Sequence, residues 1–261
     1  MTSPLSDHGR FSRLARGLAV PALLLALLEA WARTVGRHSD ALAPPSMALR
    51  AGARALADGS LVSATGFMLA SAGLGLALGS GLGLLLGLAM GLSRRTAALG
   101  FLSVEVLRPL PSVALIPLAM LVFGFGLAME VSVVAFATLW PMLVLTQAAV
   151  RQVEPRLIEV SAALQLSAAQ RAWKIVLPAA LPRLLVALRL GVAVALVVAV
   201  TVEIAANPSG MGYALMTAQQ SLDPALMLAW LLWIGLVGWT INEAAVRGQR
   251  VLARRMGEVA P

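Results

Sequence analysis

The stretch GLALGSGLGLLLGLAMG, Gly75–Gly91, carries a glycine at every fourth residue and no charged side chain. It lies in an apolar run over residues 61–92, which is longer than the ~18 residues that indicate a membrane span. The run must be helical, because lipid cannot satisfy backbone N–H and C=O groups. Glycines four apart share one helix face and allow a second backbone to approach closely. The sequence leaves open whether that second helix belongs to the same chain or to another copy. The glycine stripe consists of Gly75, Gly79, Gly83, Gly87 and Gly91.

The composition around this run is that of an all-α integral membrane protein. Of the 261 residues, 59% are hydrophobic and 12% charged, and the mean hydropathy is +0.87. A soluble domain has about twice that charged fraction. We expect one transmembrane domain over 14–246, with tails at 1–13 and 247–261. The first apolar run lacks a small-residue cleavage pattern after it, so we expect it to be retained as a span. The six predicted spans are 14–33, 61–92, 97–123, 131–150, 183–206 and 226–246.

The distribution of Arg and Lys predicts the orientation of the spans. Basic residues occur in the N-terminal tail, in the turn at 92–96, in the connection 151–182 and in the C-terminal tail, whereas 124–130 and 207–225 contain none. Because basic connections stay in the cytoplasm, both termini are predicted to be cytoplasmic. The connection before residue 61 is an exception, and its segment 46–57 is predicted to be an interfacial helix on the outer face, in contact with membrane lipid.

Several kinds of chemistry have no support in the sequence. The chain contains no cysteine, its only lysine, Lys174, is not in a glycine-rich phosphate loop, and its two histidines, His8 and His38, lie outside the spans. We expect no catalytic residue, no metal site and no cofactor on this chain. The net charge of +8 is attributed to membrane orientation and not to nucleic acid. The carboxylates that we assigned to spans, Glu29, Glu105, Glu203 and Glu243, are scattered, which favours a conduit over an enzyme.

The third predicted span is interrupted by Arg108-Pro109-Leu110-Pro111. Proline removes a helical hydrogen bond, so a kink is expected here. Glu105 and Arg108 lie three residues apart and can pair on one helix face. Arg108 would lie in or near the membrane, where an ionisable residue suggests a function, although an ion pair that stabilises the kink is the alternative.

A polar segment, IEVSAALQLSAAQRAWKIVLPAALP over 158–182, separates two apolar spans. Its pattern predicts two short helices. The first runs over 155–164 with an apolar stripe of Leu157, Val160, Leu164 and Ala168, and Glu159 lies off that stripe. The second begins at Ser167, where Ser167 and Gln170 have the spacing of a capping box, and Leu177-Pro178 is expected to end it. Such a helix pair either docks into a groove of a partner or is a solvated connector.

This segment resembles the cytoplasmic EAA coupling loop of binding-protein-dependent ABC importer permeases. Glu159 matches the glutamate of the family pattern, and Ile175-Val-Leu177-Pro178 matches its ending. The family glycine falls on Gln165, where we expect the turn geometry to differ, because a side chain costs about 1–2 kcal/mol in the left-handed conformation. Three further motifs resemble the nitrate/sulfonate/taurine branch, namely RPLPSVALIPLAMLVFGFG (108–126), SGMGY (209–213) and LSRR (92–95).

The resemblance implies the type I ABC importer fold of six transmembrane helices, in the bacterial inner membrane. It implies a second permease copy, giving a homodimer, and a cytoplasmic ABC ATPase dimer, which would hold the ATP and Mg. It also implies a periplasmic or lipid-anchored binding protein that delivers a small anion resembling sulfonate, nitrate or taurine. The coupling residues implied are Glu159, Ala162, Ala163, Gln165, Leu166, Ser167, Leu177 and Pro178. The pathway or gate candidates are Glu105, Arg108, Pro109, Pro111, Glu203, Gly210 and Gly212.

Two other functions are alternatives to an importer permease. A secondary transporter or channel would work alone and is expected to show inverted repeats or an intramembrane carboxylate or histidine relay. A structural scaffold would not need the docking loop. For Glu203 a purely structural role at a helix end also stays open.

Overall fold

The computed structural model describes residues 23–24, 26–34 and 43–255, and within them it is all-helical, with no strand. The predicted span 14–33 lies partly outside the described residues, and those of its residues that are described are helical. The helices are α1 Pro45–Ala57, α2 Ser60–Leu92, α3 Arg94–Leu107, α4 Ile116–Phe123, α5 Leu127–Arg151, α6 Pro155–Ala163, α7 Ala168–Arg171, α8 Leu177–Ala205, α9 Met211–Gln220 and α10 Pro224–Arg255, with a 3-10 turn at Ser112–Leu115 and a π turn at Ala172–Val176.

Four helical segments of the described part are long and apolar enough to cross a membrane: Ser60–Leu92, Leu127–Arg151, Ala169–Ala205 and Pro224–Leu252. The count becomes five if α3 and the segment Ser112–Phe123 together form one span. The chain divides into two compact units, of which one contains the described residues up to Leu61 together with Leu215–Trp233, and the other contains Val62–Ala214 and the residues from Ile234 onward.

In the first unit, a carboxylate network ties α1 to the helical residues 26–34. Glu29 accepts hydrogen bonds from the Ser46 backbone N–H (2.9 Å) and the Ser46 hydroxyl (2.7 Å), and it pairs with Arg33 at 2.6 Å. Ala48 and Ala55 of α1 are buried. Met47, Leu49 and Leu56 of the same helix are exposed, as the predicted interfacial helix requires.

In the second unit, the glycine stripe of α2 lies against α5. A Cβ placed on Gly83 would come within 2.5 Å of the Leu139 carbonyl oxygen and 2.9 Å of Met142 Cβ. Cβ atoms on Gly75, Gly87 and Gly91 would likewise come within 2.6–2.7 Å of α5 side chains. The close approach anticipated from the glycine spacing is therefore a contact within one chain.

Helix α5 also packs along α8. Met142 and Ala149 of α5 form a buried cluster with Ala180, Leu184 and Ala187 of α8. Because small residues are repeated on the α8 side, the two helices approach closely. Helix α5 is thus held between α2 and α8.

The proline-rich break differs from the expected kink within one span. Helix α3 ends at Leu107, and the segment Ser112–Phe123 continues at 86° to it. Pro109 and Pro111 lack the N–H that would continue the helix, and each disfavours helical geometry in the residue before it. Two short helices joined by a sharp bend therefore occupy 94–123, where a kinked span was expected over 97–123.

The predicted end of the second coupling helix at Leu177-Pro178 is wrong. The helical segment Ala169–Ala205 is continuous through Pro178 and Pro182, with the π turn Ala172–Val176 immediately before α8. Pro178 lies in the first turn of α8, where a missing N–H costs little. The π turn absorbs the change in hydrogen-bond register. The second coupling helix, predicted to begin at Ser167, therefore continues directly into the span that was predicted to begin at residue 183.

Candidate functional site

The first coupling helix, α6, is anchored by one face and leaves the other uncovered. Ile158 packs against the buried cluster of Val150, Val153 and Val176, which joins α6 to α5 and to the start of α8. Ser161 is fully buried and donates its hydroxyl to the Ile158 carbonyl. The helix is therefore fixed to the ends of two membrane helices.

The predicted apolar stripe lies on the uncovered face. Leu157, Val160 and Leu164, here called the coupling stripe, are 37%, 49% and 64% exposed. Glu159 on the same helix is also exposed. Three exposed apolar side chains at helical spacing form the kind of surface that a helix presents to a groove in a partner.

The turn after α6 corrects the expectation for Gln165. Gln165 has a φ of 49°, the left-handed conformation that glycine reaches freely. Its N–H donates to the Ala162 carbonyl at 2.9 Å, and the Leu166 N–H donates to the Ser161 carbonyl at 3.0 Å. These two bonds form a Schellman motif. Gln165 therefore takes a left-handed, glycine-like conformation in spite of its side chain, and the expected departure in turn geometry does not occur.

The predicted capping box at the start of the second coupling helix is confirmed. The Gln170 N–H donates to Ser167 Oγ at 3.3 Å, and the Ser167 N–H donates to Gln170 Oε1 at 3.0 Å. This reciprocal pair satisfies two backbone donors that the first turn of a helix leaves free. Ala162 and Ala163 are exposed on the last turn of α6, Leu166 follows the left-handed residue, and Leu177 and Pro178 lie in the continuous helix.

Of the pathway candidates, Arg108 lies at a cavity. The cavity has a volume of about 450 Å³ and is lined by the α3–α4 break, by α5 and by α8. The expected pair between Glu105 and Arg108 is not formed, since neither residue makes an ion pair within the described residues. Glu105 lies in the last turn of α3 and the two prolines, Pro109 and Pro111, lie in the break, and none of the three lines the cavity.

Three further candidates form one unit at the end of α8. The Glu203 side chain is 1% exposed, and its Oε2 accepts the Gly212 N–H at 2.8 Å. Gly210 has a φ of 92°, and a Cβ there would collide with the Glu203 carboxyl group. Glu203 thus stabilises the turn over 209–212 by accepting the Gly212 N–H. Its carboxyl group is buried and is not exposed to a second protein in this conformation.

Two charged residues, Glu130 and Arg189, are not among the candidates predicted from the sequence. Glu130, which we counted only as the end of an outer connection, is fully buried in the first turn of α5 and accepts hydrogen bonds from Ser71 and Asn207. Arg189 lies well inside α8. Both could have been found from the sequence, because each is an ionisable residue within or next to a strongly apolar run. Within the described residues, no group of three His, Cys, Asp or Glu side chains is placed to hold a metal.

These features define a multi-pass membrane protein of the transport class, with an anchored and partly uncovered coupling segment. Residues 79–258 match the family described as binding-protein-dependent transport system inner membrane component. The chain belongs to this family, whose members are permease subunits of ABC importers.

Two curated relatives and one solved structure are similar to it. The chain is 30% identical over 232 residues to the putative aliphatic sulfonates transport permease protein of Bacillus subtilis, covering 89% of this chain and 84% of the relative. It is 30% identical over 156 residues to the taurine transport system permease protein of Escherichia coli, covering 60% of this chain and 57% of the relative. A structure of a methionine ABC transporter in an inward facing conformation matches with a TM-score of 0.61 at 20% identity, covering 70% of this chain and 92% of that one.

Proposed function

We propose that this permease conducts a small anion of the sulfonate, taurine or nitrate type, delivered by a soluble or lipid-anchored binding protein. ATP and Mg belong to a separate cytoplasmic ATPase dimer, onto which residues 155–171 dock. Two copies of the chain form the pathway in the bacterial inner membrane, with both termini in the cytoplasm. The substrate class is supported by the sulfonate and taurine permeases to which the chain is similar.

The coupling stripe carries this proposal. Leu157, Val160 and Leu164 are exposed on a segment that Ile158 fixes to the ends of α5 and α8. A partner that grips the stripe would therefore move those two helix ends as it moves α6. A rigid-body switch of helices is a recurrent way to open and close a pathway. A solvated connector would not need three exposed apolar side chains on an anchored helix.

Removal of the apolar contact tests the proposal. In Leu164→Asp, the carboxylate enters the docking surface and is expected to weaken association with the ABC ATPase by at least about tenfold, since burying an unpaired charge is costly. Association is measured by co-purification of tagged chain and ATPase in detergent, and ATP-driven uptake is measured in vesicles. The fold should be unaffected, because Leu164 is 64% exposed.

Leu222→Asp is the matched control. Leu222 is 85% exposed, lies outside the coupling segment and, like Gln165, has a positive φ, which Asp tolerates. Its ATPase association should equal that of the unmodified chain. Equal losses in both variants, or uptake that proceeds without ATP, would refute the docking proposal, and the second result would favour a stand-alone transporter.

A further inference from the structure

The cavity beside Arg108 is built from three separate elements of one unit. Arg108 and Ser112 come from the α3–α4 break, Phe136 and Trp140 come from α5, and Val194 comes from α8. The 86° bend sets the position of Arg108, because α3 ends at Leu107 and Arg108 is the next residue. The cavity therefore lies at the point where the prolines turn the chain.

The charged group of its lining is Arg108. Arg108 is exposed and has no ion pair within the described residues. The Trp140 Nε1–H also lacks a hydrogen-bond partner there, but this nitrogen is fully covered and does not face the cavity. No carboxylate lines the cavity, so the local charge is positive and selects an anion.

The remaining wall is apolar. Phe136 packs edge-to-face on Trp140, with ring centroids 5.3 Å apart, and Val194 and Val198 line the cavity from α8. A volume of about 450 Å³ lies in the range of sites for small organic molecules. An inorganic anion such as nitrate would leave most of this wall without contact.

We propose that this cavity binds a small organic anion, whose charged head contacts Arg108 and whose apolar body lies against Phe136 and Val194. The inference rests on the proposed function, since it places the site on the pathway of an anion importer. It adds selection by the permease itself, which favours an organic sulfonate or carboxylate over an inorganic anion of the same charge.

The test uses the full chain in lipid nanodiscs, without binding protein, and titrates it with butane-1-sulfonate. Binding is followed by isothermal calorimetry, and empty nanodiscs correct for partition into lipid. Butane-1-sulfonate is expected to bind at least about tenfold more tightly than nitrate, because about 25 cal/mol is gained per Å² of apolar surface removed from water.

Two variants test the contact with Arg108. Arg108→Gln should weaken binding of butane-1-sulfonate by about 10–100-fold, the usual size for loss of a hydrogen bond to a charged group. Arg189→Gln removes another arginine of a membrane helix, one that does not line the cavity, and should leave binding unchanged.

Size-exclusion profiles establish that each variant is folded, and Arg108→Lys, which keeps the charge, should retain part of the binding. Equal affinity for nitrate and butane-1-sulfonate, or equal losses in Arg108→Gln and Arg189→Gln, would overturn the site. ATPase association is measured on the same preparations. A chain that associates with the ATPase but does not bind butane-1-sulfonate refutes this inference alone, whereas a chain that does not associate with the ATPase refutes the proposed function.

Discussion

Two stripes at helical spacing run along this chain, and they end in opposite environments. The glycine stripe of α2 is closed against α5 so tightly that a Cβ on Gly83 would meet the Leu139 carbonyl oxygen at 2.5 Å. The coupling stripe of α6 faces outward, and Leu164 is 64% exposed. Both patterns suggested helix contacts in the sequence, yet among the described residues only the first is satisfied.

The difference separates a scaffold from a contact surface. Helix α5 is clamped on one side by the glycines and on another by the small residues of α8, so it can act as a rigid body. The coupling stripe is attached to the end of that same body through Ile158 and Val150. Variants in the first stripe should therefore change stability, and variants in the second should change coupling.

The largest expected effect follows from adding a side chain where the glycine stripe of α2 contacts α5. Gly83→Val places three extra carbons against the α5 backbone at Leu139 and Leu143, and α5 must move to admit them. Overpacking of this kind costs about 1–3 kcal/mol or more, and backbone neighbours cannot rotate away. We expect a strong loss of folded protein in fluorescence-detected size exclusion after a heat step in detergent.

Gly81→Val provides the matched control. A Cβ on Gly81, two residues earlier in the same helix, has no neighbour within 4 Å. The same loss of glycine and the same branched side chain are introduced, but without a collision. A Gly81→Val protein as unstable as Gly83→Val would show that helix propensity, and not contact with α5, explains the stripe.

A smaller effect is expected at the left-handed turn of the coupling segment. Gln165 adopts a φ of 49°, which a β-branched residue reaches only with strain. Gln165→Val should lower the free energy of local unfolding by about 1–2 kcal/mol, and Gln165→Gly should hold or slightly raise it. Hydrogen exchange of the backbone amides over 155–166 measures the local stability of the two variants and of the unmodified chain.

Leu222→Gly is the control for a general effect of positive φ, because Leu222 has a φ of 54° outside the coupling segment. It should leave exchange over 155–166 unchanged. Equal hydrogen-exchange rates over 155–166 in Gln165→Val and Gln165→Gly would mean that the left-handed turn does not limit the stability of α6. That result would contradict the proposed sensitivity of the coupling segment to this turn.

The features that could be predicted from sequence are those set by local chemistry. The apolar run gave α2 to within one residue, Ser60–Leu92 against 61–92, and the Ser167–Gln170 spacing gave the capping box. Both depend on residues close in the chain: lipid demands a helix, and a serine and a glutamine three apart can bond reciprocally.

The features that could not be predicted depend on tertiary context. Pro178 alone favours a helix end, but the π turn before it allows the helix to continue. A glutamine by itself disfavours a left-handed turn, but the Schellman bonds donated by the N–H groups of Gln165 and Leu166 stabilise one here. Glu130 was read as part of a loop, because its partners Ser71 and Asn207 are 59 and 77 residues away.

The smallest expected effect concerns the cap that starts the second coupling helix. Ser167→Ala removes the acceptor of the Gln170 N–H, and loss of such a cap costs about 1 kcal/mol. Because the Gln170 side chain returns a bond to the Ser167 N–H, Ser167→Ala and Gln170→Ala should be less than additive in the double variant. Ser93 caps α3 by accepting a single bond from the Thr96 N–H, and among the described residues the Thr96 side chain returns none, so Ser93→Ala and Thr96→Ala should be additive. Thermal unfolding of the six variants and of the unmodified chain measures both cycles. ATP-driven uptake should fall with Ser167→Ala and not with Ser93→Ala, because only the first cap lies in the segment that follows the exposed stripe. Equal uptake in the two would mean that this cap stabilises the helix without contributing to coupling.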